Sequence, residues 1–255
     1  MEGFPNTSKQ EIAEDQEPFQ ESLRPSALKP ETLLEVENHP DTIIRKIPLS
    51  FVGRRLKMWD APPHEALKKG KDVFSELKEA YGIDVIPFET VIGSETGGGT
   101  VAYLLTRKIE GVDLEKKQFG DDEKLEAAKT FDLFFLKLAQ YLDSKFTYGG
   151  YFLSDIWKGS QYIYGNEETN LGKNNTITLV DIELYAEPMA PEDPNPKTST
   201  FSDALKKYAI MLNASEHKIG CKFENARAKL TGFLLHLAEY KRFQEDVAFV
   251  NHVLL

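Results

Sequence analysis

Two short apolar runs of β-strand composition, Gln161 to Tyr164 and Ile177 to Val180, constrain the fold of this chain more than any other feature. The residues between them, 165–176, are rich in Gly, Asn and Glu, so the two runs are predicted to pair as a β-hairpin. Asp155 precedes the first run in a predicted loop, and Asp181 directly follows the second. Because paired strands fix the separation of their ends, both carboxylates can point toward one place. Such a pair suits a Mg²⁺ ion and a proton acceptor.

The composition limits the class of protein. With 255 residues and 41% hydrophobic content, the chain can bury a sizeable core as one large domain or as two lobes. A net charge of −10 argues against nucleic acid as a partner, because phosphate contacts need a basic surface. The single cysteine, Cys221, excludes an internal disulfide and fits the reducing cytoplasm. No apolar run is long enough to cross a membrane, so we expect a cytoplasmic protein without a membrane partner; its oligomeric state stays open.

The first part of the chain is predicted to be an arm followed by strands. Residues 1–31 are polar and acidic, which favours a flexible arm. Residues 33–51 indicate two strands joined by an Asn-His-Pro-Asp turn. Arg45 and Lys46 are neighbours on the second of these strands, so strand alternation sends their side chains to opposite faces.

Helix and strand signals then alternate along the chain. An apolar helical repeat predicts a helix for which Asp60, with prolines just after it, can serve as the N-cap and which Gly82 ends. Two strands joined by a glycine-rich turn follow, and then a long amphipathic helix. One broad apolar face of this helix is expected in the core, and its residues are Leu125, Ala128, Phe131, Phe134, Phe135, Leu138, Tyr141 and Leu142. The predicted bounds are Val85–Ile92 and Thr100–Arg107 for the strands, Glu123–Lys145 for the long helix, and Phe201–Leu212, Phe223–Tyr240 and Phe243–Val253 for three later helices.

The order of these elements, over about residues 33–185, resembles that of the protein-kinase-like fold. The run Val180-Asp181-Ile182-Glu183-Leu184-Tyr185 is similar to the Asp-Phe-Glu variant of the choline kinase and aminoglycoside phosphotransferase branch, and the segment 104–114 resembles the hinge between that family's lobes. The resemblance implies an α+β fold with two lobes. The first, residues 32–110, is a small antiparallel β-sheet N-lobe with one helix, and the second, residues 111–255, is a mainly α-helical C-lobe.

The resemblance also implies ATP and Mg²⁺ as ligands. It gives Asp155 the role of orienting the acceptor hydroxyl and Asp181 the role of binding the Mg²⁺ that bridges the ATP phosphates. The position of the family's metal-binding asparagine falls on Ser160, with Gln161 beside it. Both side chains can offer an oxygen.

In the predicted N-lobe, the resemblance assigns the lysine that holds the α and β phosphates to Lys46, with Arg45 as the alternative. The helical glutamate that pairs with this lysine in the family corresponds to Glu76. Asp72 and Glu65 are the other carboxylates of that helix that could take its place. The hinge backbone around Ile109 is expected to bind the adenine edge.

Two departures from the family pattern leave the activity open. The His or Tyr before the family's catalytic aspartate is Leu153 here, and no glycine lies between Gly3 and Gly53, where the phosphate-binding loop is expected. One hypothesis is an ATP- and Mg²⁺-dependent phosphotransferase that acts on a small-molecule hydroxyl. Another is a catalytically inactive pseudokinase, a binding or scaffold module that keeps the fold. The third is an unrelated α+β protein.

Overall fold

The computed structural model describes residues 23–25, 33–36, 39–94, 99–169, 172–190 and 198–255. Its elements, in chain order, are β1 (Leu23–Pro25), β2 (Leu33–Val36), β3 (His39–Pro48), α1 (Leu49–Arg55), α2 (Pro63–Tyr81), β4 (Asp84–Val85), β5 (Phe88–Ser94), β6 (Thr100–Arg107), β7 (Val112–Asp113), α3 (Lys124–Tyr148), β8 (Gly150–Phe152), β9 (Tyr162–Thr169), β10 (Gly172–Leu179), β11 (Glu187–Met189), α4 (Thr198–Ile219), α5 (Glu224–Ala238) and α6 (Gln244–Leu254). Single 3-10 turns lie at Gly159–Gln161 and Lys241–Phe243.

Contacts between residues divide the chain into two units. The first comprises Met1–Phe51 and Phe88–Lys108, and the second comprises Val52–Pro87 and Ile109–Leu255. Helix α2 therefore groups with the helical part of the chain rather than with the first sheet. The lobe boundaries inferred from the resemblance, 32–110 and 111–255, stay a prediction. Most of the predicted arm lies outside the described residues, apart from the three residues of β1.

The first unit contains a five-stranded antiparallel sheet with the strand order β1-β2-β3-β6-β5. The predicted small antiparallel sheet is thus confirmed. Ile44 of β3 pairs with Leu105 of β6, and Lys46 pairs with Tyr103. Because side chains alternate along a strand, Lys46 and Ile44 belong to one face of the sheet and Arg45 to the other. Ile44 and Tyr103 are buried in an apolar cluster that also contains Val101.

The second unit contains the predicted hairpin, which is longer than expected. Strands β9 and β10 pair from Tyr162 with Leu179 to Thr169 with Gly172, so most of the polar insert continues the strands. Strand β7 joins the β9 side of the hairpin, and the short β4 runs parallel to β10 on the other side. A separate antiparallel pair is formed by β8 and β11.

Helix α3 supplies much of the core of the second unit. Phe131, Phe134, Phe135, Leu138, Tyr141 and Leu142, all on the predicted apolar face, are buried. Phe135 stacks on Phe223, which directly precedes α5, with ring centroids 5.7 Å apart. Leu125 was also expected in the core, but it is 72% exposed. It lies in the first turn of the helix, where the apolar repeat extends beyond the packed surface.

Helix α2 ends as predicted but begins later. Gly82 has φ +66° and closes the helix in the left-handed conformation, a geometry that glycine adopts without strain. The predicted cap, Asp60, was wrong: Pro62 stands at the cap position and Pro63 opens the helix. A proline is well tolerated in the first turn because its missing N–H has no helical partner there.

Helices α4, α5 and α6 follow the predicted order, and α4 is longer than expected at both ends. The strand predicted to reach residue 51 was wrong at its end, because β3 stops at Pro48 and α1 begins at Leu49. The described residues thus have the mixed α+β composition that the sequence predicts. Among them, no helix is both long and apolar enough to span a bilayer.

Candidate functional site

The loop from Leu153 to Gln161 carries Asp155 and is held by buried side chains. The hydroxyl of Tyr141 in α3 accepts a hydrogen bond from the Leu153 N–H at 2.8 Å. The Trp157 ring nitrogen donates to the Leu153 carbonyl at 3.1 Å, and the Tyr162 hydroxyl donates to the Ile156 carbonyl at 2.8 Å. Each of these bonds is buried, so the backbone on both sides of Asp155 has a defined shape.

Gln161 closes this loop from its far end. Its side-chain nitrogen donates to the carbonyl oxygen of Asp155, and its side-chain oxygen accepts from the Lys158 N–H at 3.1 Å. Gln161 is 4% exposed. Both polar atoms of its side chain therefore bind the loop backbone, whereas Ser160 beside it is exposed.

The base of the hairpin connects this loop to Asp181. The Val180 N–H donates to the Gln161 carbonyl at 2.9 Å, directly beyond the paired residues Tyr162 and Leu179. Asp155 is attached to one side of this junction through Gln161, and Asp181 follows Val180 on the other. The structure thus brings Asp155, Ser160, Gln161 and Asp181 to the same end of the hairpin. That the two carboxylates point toward one place stays a prediction. Asp181 is half-buried.

Lys158 is a candidate that the sequence analysis missed. Its Nζ lies 3.3 Å from the Asp155 Oδ1, and both side chains are substantially exposed. A three-residue spacing between a carboxylate and a lysine was the available signal, but such spacings are common in surface turns. The pair places a cation and a carboxylate side by side on the open side of the loop.

Glu76 has a well-defined partner on α3. Both of its carboxylate oxygens accept from the Lys145 Nζ, at 2.7 and 2.8 Å. The Lys145 side chain is 4% exposed and that of Glu76 is 36% exposed. Asp72 and Glu65, the other carboxylates considered for this role, are exposed. The expected pairing of Glu76 with a strand lysine stays a prediction.

The first unit carries the predicted phosphate-binding candidates. Lys46 is exposed on β3 and Arg45 is half-buried. Since the register assigns Lys46 to the face that contains the Ile44 and Tyr103 cluster, the two basic residues are on different surfaces of the sheet. Their roles in phosphate binding stay predictions.

The second half of the predicted hinge lies directly on the hairpin. The chain enters the second unit at Ile109, and two residues later Gly111 packs against β9. A β-carbon on Gly111 would lie 2.7 Å from the Tyr164 carbonyl oxygen, and one on Gly165 would overlap the Glu110 carbonyl oxygen. Both positions therefore need glycine for packing. The expected adenine contact at Ile109 stays a prediction.

The described residues contain no group of three or more His, Cys, Asp or Glu side chains suited to a metal ion. One or two carboxylates are nevertheless a common protein contribution to a Mg²⁺ site, because water and substrate phosphate complete its coordination. Asp181, to which the resemblance gives the metal, fits that donor chemistry. The sequence matches no family model, and no curated protein is significantly similar to it.

Proposed function

We propose that this protein is an ATP- and Mg²⁺-dependent phosphotransferase that acts on a hydroxyl group of a small molecule. The observation that carries the proposal is the junction at the base of the hairpin. There, Gln161 joins the Asp155 loop to Val180, the residue between strand β10 and Asp181. Phosphoryl transfer needs a proton acceptor and a metal ligand at one place, and this junction offers one carboxylate for each role.

The proposed roles follow from the positions of the side chains. Asp155 orients the acceptor hydroxyl and accepts its proton, since it lies on a loop that Tyr141, Tyr162 and Gln161 hold. Lys158, 3.3 Å from that carboxylate, offers positive charge to the transferred phosphoryl group. Asp181 holds Mg²⁺, which would neutralise phosphate charge when bound. The resemblance also gives Lys46, or Arg45, a role with the phosphates.

A nucleotide-binding module without catalysis is the second candidate. Two observations favour it. Both polar atoms of the Gln161 side chain bond the loop backbone, so of the two residues at the position of the family's metal-binding asparagine Ser160 is the exposed one. In addition, no glycine lies between Gly3 and Gly53 to allow close approach of backbone to phosphate.

Calorimetric titration of ATP into the intact chain, with and without Mg²⁺, tests nucleotide binding, which both candidate functions require. We expect binding that requires Mg²⁺ and is lost in Asp181→Ala. Asp203→Ala is the matched control, because Asp203 is an exposed carboxylate on α4. Absence of binding by the intact chain at millimolar nucleotide would refute the phosphotransferase proposal.

Turnover separates the two candidates. Release of ADP is measured with a panel of small hydroxyl compounds. For a phosphotransferase, Asp155→Asn is expected to lower kcat roughly a hundredfold to ten-thousandfold, the usual contribution of a positioned proton acceptor, with ATP still bound. If ATP binds with Mg²⁺ but Asp155→Asn changes no rate, the non-catalytic module is the correct description.

A further inference from the structure

We infer that Tyr141 is the positioning residue of the Asp155 loop and that the Glu76–Lys145 ion pair couples helix α2 to it. This inference rests on the proposed function for its catalytic meaning, but the structural link stands on contacts within the second unit. None of the residues involved is proposed to touch substrate.

The first step is the ion pair itself. Lys145 is almost completely buried, and the Glu76 carboxylate accepts from its Nζ with both oxygens. A buried ammonium group is costly unless a partner compensates it, so the pair fixes where α2 lies against α3. The same Nζ lies 5.6 Å from the centroid of the Tyr141 ring, one helical turn earlier on α3.

The second step is the environment of Tyr141. Its ring stacks on Phe152 at 5.8 Å and lies 6.2 Å from Trp157, so it contacts residues on both sides of Asp155. An edge contact with Tyr81 of α2, at 5.1 Å, adds a second connection to that helix. Burial raises the pKa of Tyr141 well above its ordinary value, so the hydroxyl stays protonated.

The third step is the hydrogen bond to the loop. The Tyr141 hydroxyl accepts from the N–H of Leu153, two residues before Asp155. The bonds of Trp157 and Gln161 run from the loop to itself, and they set its shape without anchoring it to a helix. Leu153 thus connects the loop to α3, and α3 is held to α2 by the ion pair. A displacement of Glu76 is therefore transmitted to Asp155 through Tyr141.

Amide hydrogen exchange in the intact protein tests the link without requiring activity. Tyr141→Phe removes the acceptor but keeps the stacked ring, and we expect about fivefold faster exchange of the loop amides. Tyr208→Phe is the matched control. Its ring lies 6.4 Å from that of Trp157, but its buried hydroxyl donates to the Phe135 carbonyl at 2.9 Å, so the same chemical change is made at a hydroxyl that bonds α3. Equal exchange of the loop in the two variants would overturn the inference.

Glu76→Gln tests the coupling from the α2 side and covers the case in which Tyr141→Phe does not fold. We expect the loop amides to exchange faster in this variant too, because the buried Lys145 loses its counter-charge. The double variant should exceed the larger single effect by less than twofold, since both changes act through one route. Fully multiplicative effects would show two independent sites and would contradict the coupling.

Kinetics then connect the link to function. If the proposed function holds, Tyr141→Phe lowers kcat about tenfold and leaves the KM for ATP unchanged, while Tyr208→Phe changes neither. Faster loop exchange in a protein that binds no nucleotide would leave the link standing and refute the phosphotransferase proposal. Slow turnover with unchanged loop exchange would refute the link alone.

Discussion

The carbonyl oxygen of Leu184 packs directly against Gly70 of α2, where a β-carbon on residue 70 would overlap it. Leu184 is fully buried and has φ +59°, a conformation that costs a residue with a side chain about 1 kcal/mol. Leu184 lies three residues after Asp181. The absence of a side chain at Gly70 therefore sets the path of the chain that leaves the proposed metal ligand.

Gly70→Ala is expected to destabilise the protein by about 1–3 kcal/mol, because the new methyl group forces backbone apart in a packed region. Gly232→Ala is the control. Gly232 is also helical, in α5, but has no heavy atom near the position of a β-carbon, so the same change is expected to stabilise the protein by up to about 1 kcal/mol. The free energy of unfolding in urea measures both. A Gly70→Ala variant with an unchanged free energy of unfolding would contradict the close approach of the Leu184 carbonyl to Gly70.

Lys46 and Arg45 are distinguished by single substitutions. Lys46→Met is expected to weaken Mg²⁺-dependent ATP binding about tenfold, the usual loss for a hydrogen bond to a charged group. Arg45→Met, on the opposite face of β3, is expected to leave the affinity within about twofold. Calorimetry measures both variants, and thermal unfolding checks that they fold. The reverse order of effects would assign the phosphate role to Arg45.

Lys158→Met is expected to lower turnover about a hundredfold, because a positive charge beside developing phosphate charge is removed. The expected change in ATP affinity is smaller, less than about tenfold. Lys124→Met is the control, since Lys124 forms an ion pair of the same three-residue spacing with Asp121 at 2.7 Å at the start of α3. Initial rates at saturating ATP compare the two. Equal rates in both variants would remove Lys158 from the mechanism.

Glu216 makes stability depend on pH. Burial alone would raise its pKa, but hydrogen bonds from Arg227 and from the Phe223 N–H outweigh burial, so its pKa lies below the ordinary value of 4.5. An acid whose pKa is lowered by folding stabilises the folded state above its unfolded pKa. We therefore expect stability to fall as pH drops below about 4.5 and through the folded pKa.

Glu216→Gln is expected to remove this pH dependence and to cost about 3 kcal/mol at pH 7, because Arg227 loses the negative charge that compensates its own. Glu239→Gln, an exposed residue beyond α5, is the control and should change neither quantity. Urea unfolding measured between pH 3 and pH 7 gives the free energy of unfolding and its dependence on pH. An unchanged pH slope in Glu216→Gln would place the responsible group elsewhere.

The secondary structure was largely predictable because its signals are local. The strand composition of β3, the apolar face of α3 and the stop at Gly82 each depend on residues close together in sequence. The prediction that Asp60 caps α2 was wrong for a local reason as well, because Pro62 and Pro63 provide another start for the helix. The prediction that Leu125 is buried was wrong because the periodicity of apolar residues does not show where the packed surface of a helix ends.

The candidate site was predictable only in part. The shared position of Asp155 and Asp181 follows from hairpin pairing, which the sequence indicates through turn and strand composition. The partner of Glu76 was not predictable, since Lys145 lies far along the chain and most helical lysines are solvated. For Gln161, the resemblance implied an oxygen ligand, but hydrogen bonds with the backbone of Asp155 and Lys158 hold both ends of its amide in the loop.

The contact between Gly111 and Gly165 also restricts how this chain can diverge. Any sequence that keeps the segment after β6 on the hairpin must keep a residue without a side chain at both positions, because a single methyl group at either one separates the two backbones. Polar residues on the exposed strand faces are under no such requirement. Distant relatives with unrecognisable surfaces would still carry this glycine pair, one just after a strand and the other within a hairpin.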